Sequence, residues 1–411
     1  MISVDLRTRT DDAVQPVDAA AFFEHDLPAL IDVNGPLAGP GAAELAPRPL
    51  AFAIGDHSWT LALDGEVLEV FRGDDAAAAI VLLDDEGLTD LVRDVRGAMG
   101  FFTGGDLHMP KGRLEDFLDW SVILRSLIDG RPVHTTGAVE FRDRDGAPLG
   151  LPRTFSPDDD PDELSHFLGE AGYLHIAGVF TEDEMATVSA DIDHALPSYA
   201  PDDGRSWWAT TADGDHRAVR LQYFHEHSEV TRSLLADQRF LSIGDLTTDG
   251  HRPGEPHMGA NVIEALVKPI GIVEGISDVP WHKDCSLGRH SFRCCSLTVG
   301  VSVTGADAMS GQLRVVAGSH RALIQPAFVR RGLDLPIIDL PTGTGDVTVH
   351  LSCTLHMSQP PVDRERRVMY TGFRLPDGGG TSKETERRLS RIREGAYKTV
   401  SQRPSPVAQP G

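Results

Sequence analysis

The sequence predicts a mainly β protein with helices: a double-stranded β-helix of the jelly-roll, cupin-like type, preceded by a smaller α+β region. Three observations predict it. From about Asn261 to Leu375 the chain is a succession of strand-like segments broken by Gly, Pro and Asp, the pattern of two stacked antiparallel sheets. Further upstream, Asp64-Gly65 joins two alternating segments, Pro49–Ala62 and Glu66–Arg72, as a hairpin turn does. Between these regions, Leu114, Phe117, Leu118, Val122 and Leu124 recur at the intervals that line one helix face.

The elements follow in chain order. A helix is expected at Asp18–Ile31, then the two hairpin strands, then helical stretches at Gly87–Met99 and Arg113–Asp129. Residues 136–163 are polar, rich in Gly, Pro and Asp, and include Pro157-Asp158-Asp159-Asp160-Pro161, so they read as an exposed connection. The apolar segment Gly172–Phe180 is followed by Thr181 and Glu184 at capping-box spacing. Met185, Val188, Ile192 and Leu196 then repeat at helical intervals. Beyond Pro376 a basic helix is expected at Lys383–Tyr397, ahead of a disordered Pro/Ser tail. The expected division is therefore an α+β domain at 1–135, a linker at 136–163, a jelly-roll domain at 164–376 and a C-terminal helix and tail at 377–411.

Composition narrows the partners. With 411 residues the chain can hold two or three domains. A net charge of -24 argues against nucleic acids and anionic membranes, which both demand basic surface. The longest apolar run, Ala76–Leu83, is too short to cross a bilayer, and the first residues, MISVDLRTRTDD, carry no secretory pattern. Cys285, Cys294, Cys295 and Cys353 form no C-x-x-C pair and read as reduced thiols. A cytoplasmic protein acting on a small molecule, without membrane insertion, is expected.

Chemistry concentrates in a few segments. The only His-x-Asp triplet is His282-Lys283-Asp284, and about one or two would arise by chance among 17 histidines. On a strand, residues two apart face the same side, so His282 and Asp284 can bind one ion together. A second histidine must come from a distant strand. The turn at Gly345-Asp346 and the alternation of Val347, Val349 and Leu351 lead to His356, with His350 as the competitor for that place. Two imidazoles and one carboxylate form the ligand set of non-haem Fe(II), which leaves about three positions open. A strand beginning at Arg364 carries Arg366 and Arg367, either of which can grip a carboxylate with two parallel hydrogen bonds. Trp281, Trp207-Trp208 and Arg289 are further candidates to face a pocket.

With these residues in place, the chain from about Gly172 to Leu375 resembles the phytanoyl-CoA dioxygenase family of Fe(II)/2-oxoglutarate oxygenases. The matching segments run in family order: Gly172–Phe180, Val279–Asp284, Ser310–Arg321 and Gly345–Ser358. The resemblance implies His282, Asp284 and His356 as iron ligands and as the catalytic centre. It implies Arg367, eleven positions beyond His356, and Ser358 as 2-oxoglutarate contacts, and O2 as cosubstrate. The Gln359-Pro360-Pro361 turn departs from the family pattern and leaves Arg366 open as the anchor. The presence of Asp284 favours hydroxylation over halogenation. More faintly, Trp59–Val67, Gly97–Phe102 and Thr103–Leu107 resemble the sterol carrier protein type-two fold. That implies a tunnel for an apolar or carrier-borne, lipid-like substrate, oxidised with release of succinate and CO2. Two alternatives stand beside this expectation: a lipid-binding or transfer protein with an inactive oxygenase domain, and a different cupin-type metalloenzyme.

Overall fold

The computed structural model describes residues 15–247, 250–253, 262–275, 279–285 and 296–374. The helix expected at Lys383–Tyr397, the Pro/Ser tail, Arg289 and the Cys294-Cys295 pair lie outside the described residues.

Asp18 caps the first helix by accepting from the Ala21 amide at 2.8 Å. Helix α1 (Ala19–Ala21) passes through a π turn into α2 (Leu27–Leu45). The sequence suggested an end at Ile31, and Pro36 and Pro40 beyond it each remove a backbone donor. The helix nevertheless continues, because packing outweighs propensity. A Cβ at Gly39 would collide with the Glu66 carbonyl, and one at Gly41 with Val133. Glycine here lets the helix backbone touch its neighbours directly.

Strands β1 (Leu50–Ile54), β2 (His57–Asp64), β3 (Val67–Arg72), β4 (Ala79–Leu83) and β5 (His108–Lys111) form one sheet in the order β3-β2-β1-β4-β5. Only the β1–β4 pairing is parallel. The segment expected as one strand, Pro49–Ala62, turns at Gly55-Asp56, where Gly55 has φ +58°. The next turn falls on Gly65-Glu66, since Asp64 pairs with Val67. The expected Gly87–Met99 helix is two, α3 (Asp85–Val92) and α4 (Ala98–Gly104), separated where Asp94 takes φ +60°. Helix α5 (Leu114–Asp129) closes the unit. Its centre is filled by rings: Phe23 stacks on Trp59 at 5.0 Å and on Phe52 at 5.7 Å, and Phe117 meets Phe52 edge-on at 6.1 Å.

Residues 136–160 are largely irregular, yet Leu151 and Phe155 are buried, and Phe155 bridges to Ile176. Helix α6 (Pro161–Ala171), unforeseen in the sequence, starts on an Asp160 cap. Then come β6 (Tyr173–Ile176) and α7 (Glu182–Ala195). The Thr181/Glu184 capping box forms, and Met185, Val188 and Ile192 are buried. The remaining elements are β7 (Ser206–Thr211), β8 (His216–Leu221), α8 (Glu229–Leu234), α9 (Gln238–Asp245), β9 (Arg252–Pro253), β10 (Glu264–Lys268), β11 (Ile272–Glu274) and β12 (Ser296–Ser302). After them follow β13 (Leu313–Val316), β14 (Ile337–Leu340), β15 (Val347–Leu351), β16 (His356–Ser358) and β17 (Arg366–Arg374).

They build the expected jelly roll as a nine-stranded sheet, β11-β7-β8-β10-β17-β12-β15-β6 with β9 beside β17, and a three-stranded sheet, β14-β13-β16. Strand alternation divides the large sheet into two faces. One carries Leu297, Val299, Val301, Val347, Val349, Met369 and Phe373 into a core shared with α6, α7 and α9. The opposite face carries Lys268, Thr298, His350 and Arg366; of these, Lys268 and Arg366 touch β16, His350 stacks on His356, and Thr298 reaches Asp284. No described helix is long and apolar enough to cross a membrane.

Candidate metal centre

His282 and His356 are locked together by their own backbones. Each amide donates to the other's carbonyl, at 2.9 and 3.0 Å, and the two rings lie 4.2 Å apart. Asp284 completes the group: its Oδ1 is 3.3 Å from His282 Nε2 and 3.6 Å from His356 Nε2. One donor atom from each of the three lies within 4.8 Å of the others. Bonds of about 2.1 Å at right angles set neighbouring donors about 3 Å apart, so the spacing suits a first-row metal.

The tautomers suit it too. His282 Nδ1 lies 2.8 Å from the Pro280 carbonyl and His356 Nδ1 2.9 Å from the Thr354 carbonyl. A carbonyl only accepts, so each Nδ1 holds the proton and each Nε2 presents its lone pair to the site. Burial, with His350 and His282 nearby, pushes His356 well below the usual imidazole range, toward the neutral form a ligand needs. Burial works against ionisation of Asp284, but His356, His282 and His350 outweigh it and hold the carboxyl well below the usual range.

The second oxygen of Asp284 is also engaged. Thr298 Oγ1 donates to Oδ2 at 2.6 Å, and His350 Nε2 lies 3.4 Å from it. His350, the competitor for the distal ligand, is buried with its ring 4.1 Å from that of His356, outside the three-residue group. Neither of its nitrogens has a hydrogen-bond partner among the described residues. Sequence reasoning passed over Thr298, because a threonine on a strand carries no signal of its own.

The arginine register needs correction. Arg367, expected at the cosubstrate, faces away from the metal group. It pairs with Asp193 at 2.8 Å and Glu365 at 3.0 Å and donates to the Ser189 carbonyl of α7. Arg366 is the inward residue, as alternation along β17 demands. It is 2% exposed, donates to the Gly311 carbonyl at 2.6 Å and lies 3.3 Å from Ser358 Oγ. Its Nε has no partner among the described residues. Beside it, Lys268 pairs in register with Arg366 and donates its ammonium to Ser358. Lys268 was missed, although a lysine directly after the apolar Ala265-Leu266-Val267, one of only five lysines, was a usable signal.

The other candidates are dispersed. Trp281 packs beside Val316 and Leu355. Trp207 lies under the Arg220 guanidinium at 4.3 Å, and Trp208 stacks beside His216.

Residues 168–368 match the model of the phytanoyl-CoA dioxygenase family (PhyH). That stretch belongs to the family. The phytanoyl-CoA dioxygenase-type domain is an iron(II)- and 2-oxoglutarate-dependent oxygenase, and its three-residue ligand group fits iron(II). The family match begins at residue 168, so the sterol-carrier resemblance of the N-terminal unit draws nothing from it. No curated protein matches the chain. Among solved structures, the domain is similar to the non-haem α-ketoglutarate-dependent epimerase SnoN of nogalamycin biosynthesis, at 20% identity and TM-score 0.40, covering 52% of this chain and 80% of that one. AviO1 from Streptomyces viridochromogenes Tue57 shares 19% identity at TM-score 0.40, over 53% of this chain and 96% of that one. EctD from S. alaskensis, solved with 2-oxoglutarate and 5-hydroxyectoine, shares 17% at TM-score 0.42, over 60% and 87%. At TM-scores this low, the assignment rests on the family match.

Proposed function

We propose that this protein hydroxylates a small molecule in the cytoplasm, with His282, Asp284 and His356 holding iron(II) and Arg366, Lys268 and Ser358 holding 2-oxoglutarate. Bound iron(II) supplies the activation of dioxygen and the oxidation of a substrate C–H bond, coupled to conversion of 2-oxoglutarate to succinate and CO2. The protein's own part is placement. Pro280 and Thr354 fix the two imidazole tautomers, and Thr298 holds the outer oxygen of Asp284 so that one oxygen faces the metal. Arg366 would take the far carboxylate of the cosubstrate in a bidentate grip, with Lys268 adding a second positive charge.

One observation carries this reading. The permanently charged Arg366 guanidinium is buried with a donor idle and only neutral oxygens as acceptors among the described residues, beside Ser358, which lies two residues along β16 from His356. Such a group is costly unless an anion joins it. A hydrolase or isomerase gains nothing from that arrangement. The ring-filled centre of the N-terminal unit lends no support to an apolar tunnel, so the substrate is left as a small molecule without the lipid-like qualification.

The test is anaerobic addition of Fe(II) and 2-oxoglutarate. The wild type should develop the visible charge-transfer band of the chelate, and folded Asp284→Ala should not. Absence of the band in the wild type, or normal succinate formation by Asp284→Ala, would sink the assignment.

A further inference from the structure

Between β13 and β14, residues 319–330 form a strap that touches both the metal centre and the N-terminal unit. It carries the ligand-bearing segments. Lys283, fully buried between His282 and Asp284, donates its ammonium to the Ser319 carbonyl at 2.9 Å and its amide to the Pro326 carbonyl at 2.8 Å. Alternation explains the direction: with His282 and Asp284 turned to the metal, Lys283 turns the other way. Ser319 Oγ accepts at 2.8 Å from the amide of Leu355, the residue before His356. Both metal-binding segments therefore hang from one stretch of chain.

The same stretch is plugged into the N-terminal unit. Leu323 and Ala327 belong to that unit's core, together with Phe117 and Trp120. Asp119 of α5, 7% exposed, accepts from the Gln325 amide and from Arg330 at 2.8 Å, while Arg330 also donates to the Leu45 carbonyl at the end of α2. The His134 amide donates to the Leu323 carbonyl at 3.1 Å. A buried amide and a charge pair at this joint are held only if every partner stays in place.

We infer that the N-terminal unit is a brace for the metal centre: Asp119 fixes the strap, the strap fixes Lys283 and Leu355, and these set where His282, Asp284 and His356 stand. Asp119 and Lys283 are positioning residues in this scheme; neither touches substrate or metal. The inference rests on the metal reading proposed above and gives the N-terminal unit a role that requires no ligand of its own.

The experiment is an anaerobic Fe(II) titration of the full chain in a double-mutant cycle, with unfolding followed separately by circular dichroism. Loss of a residue that orients metal ligands costs about 10–100-fold in affinity. Asp119→Ala and Lys283→Met should each raise the Fe(II) Kd by about 10-fold. The double variant should be far short of the product of the two, because both act through one strap. Arg330→Gln, at a half-exposed position, should move in the same direction and serves if Lys283→Met does not fold. Phe23→Leu, which loosens the N-terminal core and leaves every hydrogen bond of Asp119 and Arg330 in place, should lower stability and leave Fe(II) affinity unchanged. Unchanged Fe(II) affinity in Asp119→Ala and Arg330→Gln, or fully multiplicative effects, would overturn the brace. Failure of the wild type to bind Fe(II) would instead remove the metal reading, and the brace with it.

Discussion

At the centre of the N-terminal unit, Phe23, Phe52, Trp59 and Phe117 lie ring against ring. At the centre of the jelly roll, Lys268, Arg366, His350 and His356 are buried just as deeply. The first, a ring cluster in a core that Leu323 and Ala327 of the strap complete, asks for no polar partner, since apolar rings need only apolar neighbours. The second does ask for one. Buried cations and imidazoles lose hydration that neutral neighbours only partly replace, so their placement makes sense for a site that receives a metal and an anion. The contrast separates the two units by what their interiors require.

Three measurements can break or sharpen it. The largest effect is expected from Phe52→Ala, which should cost about 3–5 kcal/mol, read from urea denaturation. Fe(II) affinity of the folded protein should be unaffected, because the strap's hydrogen bonds run to Asp119, Leu45 and His134 and none involves Phe52. A small loss would mean that the N-terminal interior does not rest on its rings.

Next, Arg366→Met should raise the KM for 2-oxoglutarate by about 100-fold while leaving the metal-free chain as stable as wild type or up to about 2 kcal/mol more so. Replacing a buried charge by an apolar side chain commonly has that sign. Arg367→Met should do the reverse, leaving KM within about twofold and lowering stability by under about 1 kcal/mol through loss of its partly exposed pairs with Asp193 and Glu365. Steady-state succinate assays and thermal melts together decide between the two.

The smallest effect concerns pH. Burial pushes the Asp119 carboxyl up to about 6, against the opposing pulls of Arg330 and Gln325. A carboxyl whose folded pKa lies above its unfolded value of 3.8 stabilises the fold when protonated. Its contribution is present below about pH 4 and lost as pH rises to about 6. Relative to Asp119→Asn, the wild type should therefore lose roughly 2 kcal/mol between pH 4 and pH 6.5. Paired urea midpoints at the two pH values check the sign, and a flat difference would show that Asp119 is not desolvated.

Much of this was legible in the sequence, for physical reasons that can be named. Local rules gave the capping box at Thr181, the α5 face and the shared side taken by His282 and Asp284, because each depends on residues within a few positions. They failed where contact at long range decides. Helix α2 runs past two prolines because Gly39 and Gly41 meet Glu66 and Val133. The inward-facing arginine is Arg366 and not Arg367 because pairing with Lys268 sets which residue faces inward, whereas a count from His356 crosses the turn at Pro360-Pro361. Lys268, Thr298 and the strap stayed hidden for the same reason: each matters through a partner distant in the chain.

The strap also bears on how the protein is made. Asp119 finds Gln325 206 positions later, and the N-terminal core lacks Leu323 and Ala327 until that stretch has left the ribosome. At about 5–20 residues per second, synthesis leaves this core open for roughly 10–40 s. The N-terminal unit is thus completed late, by a segment of the jelly roll that follows it.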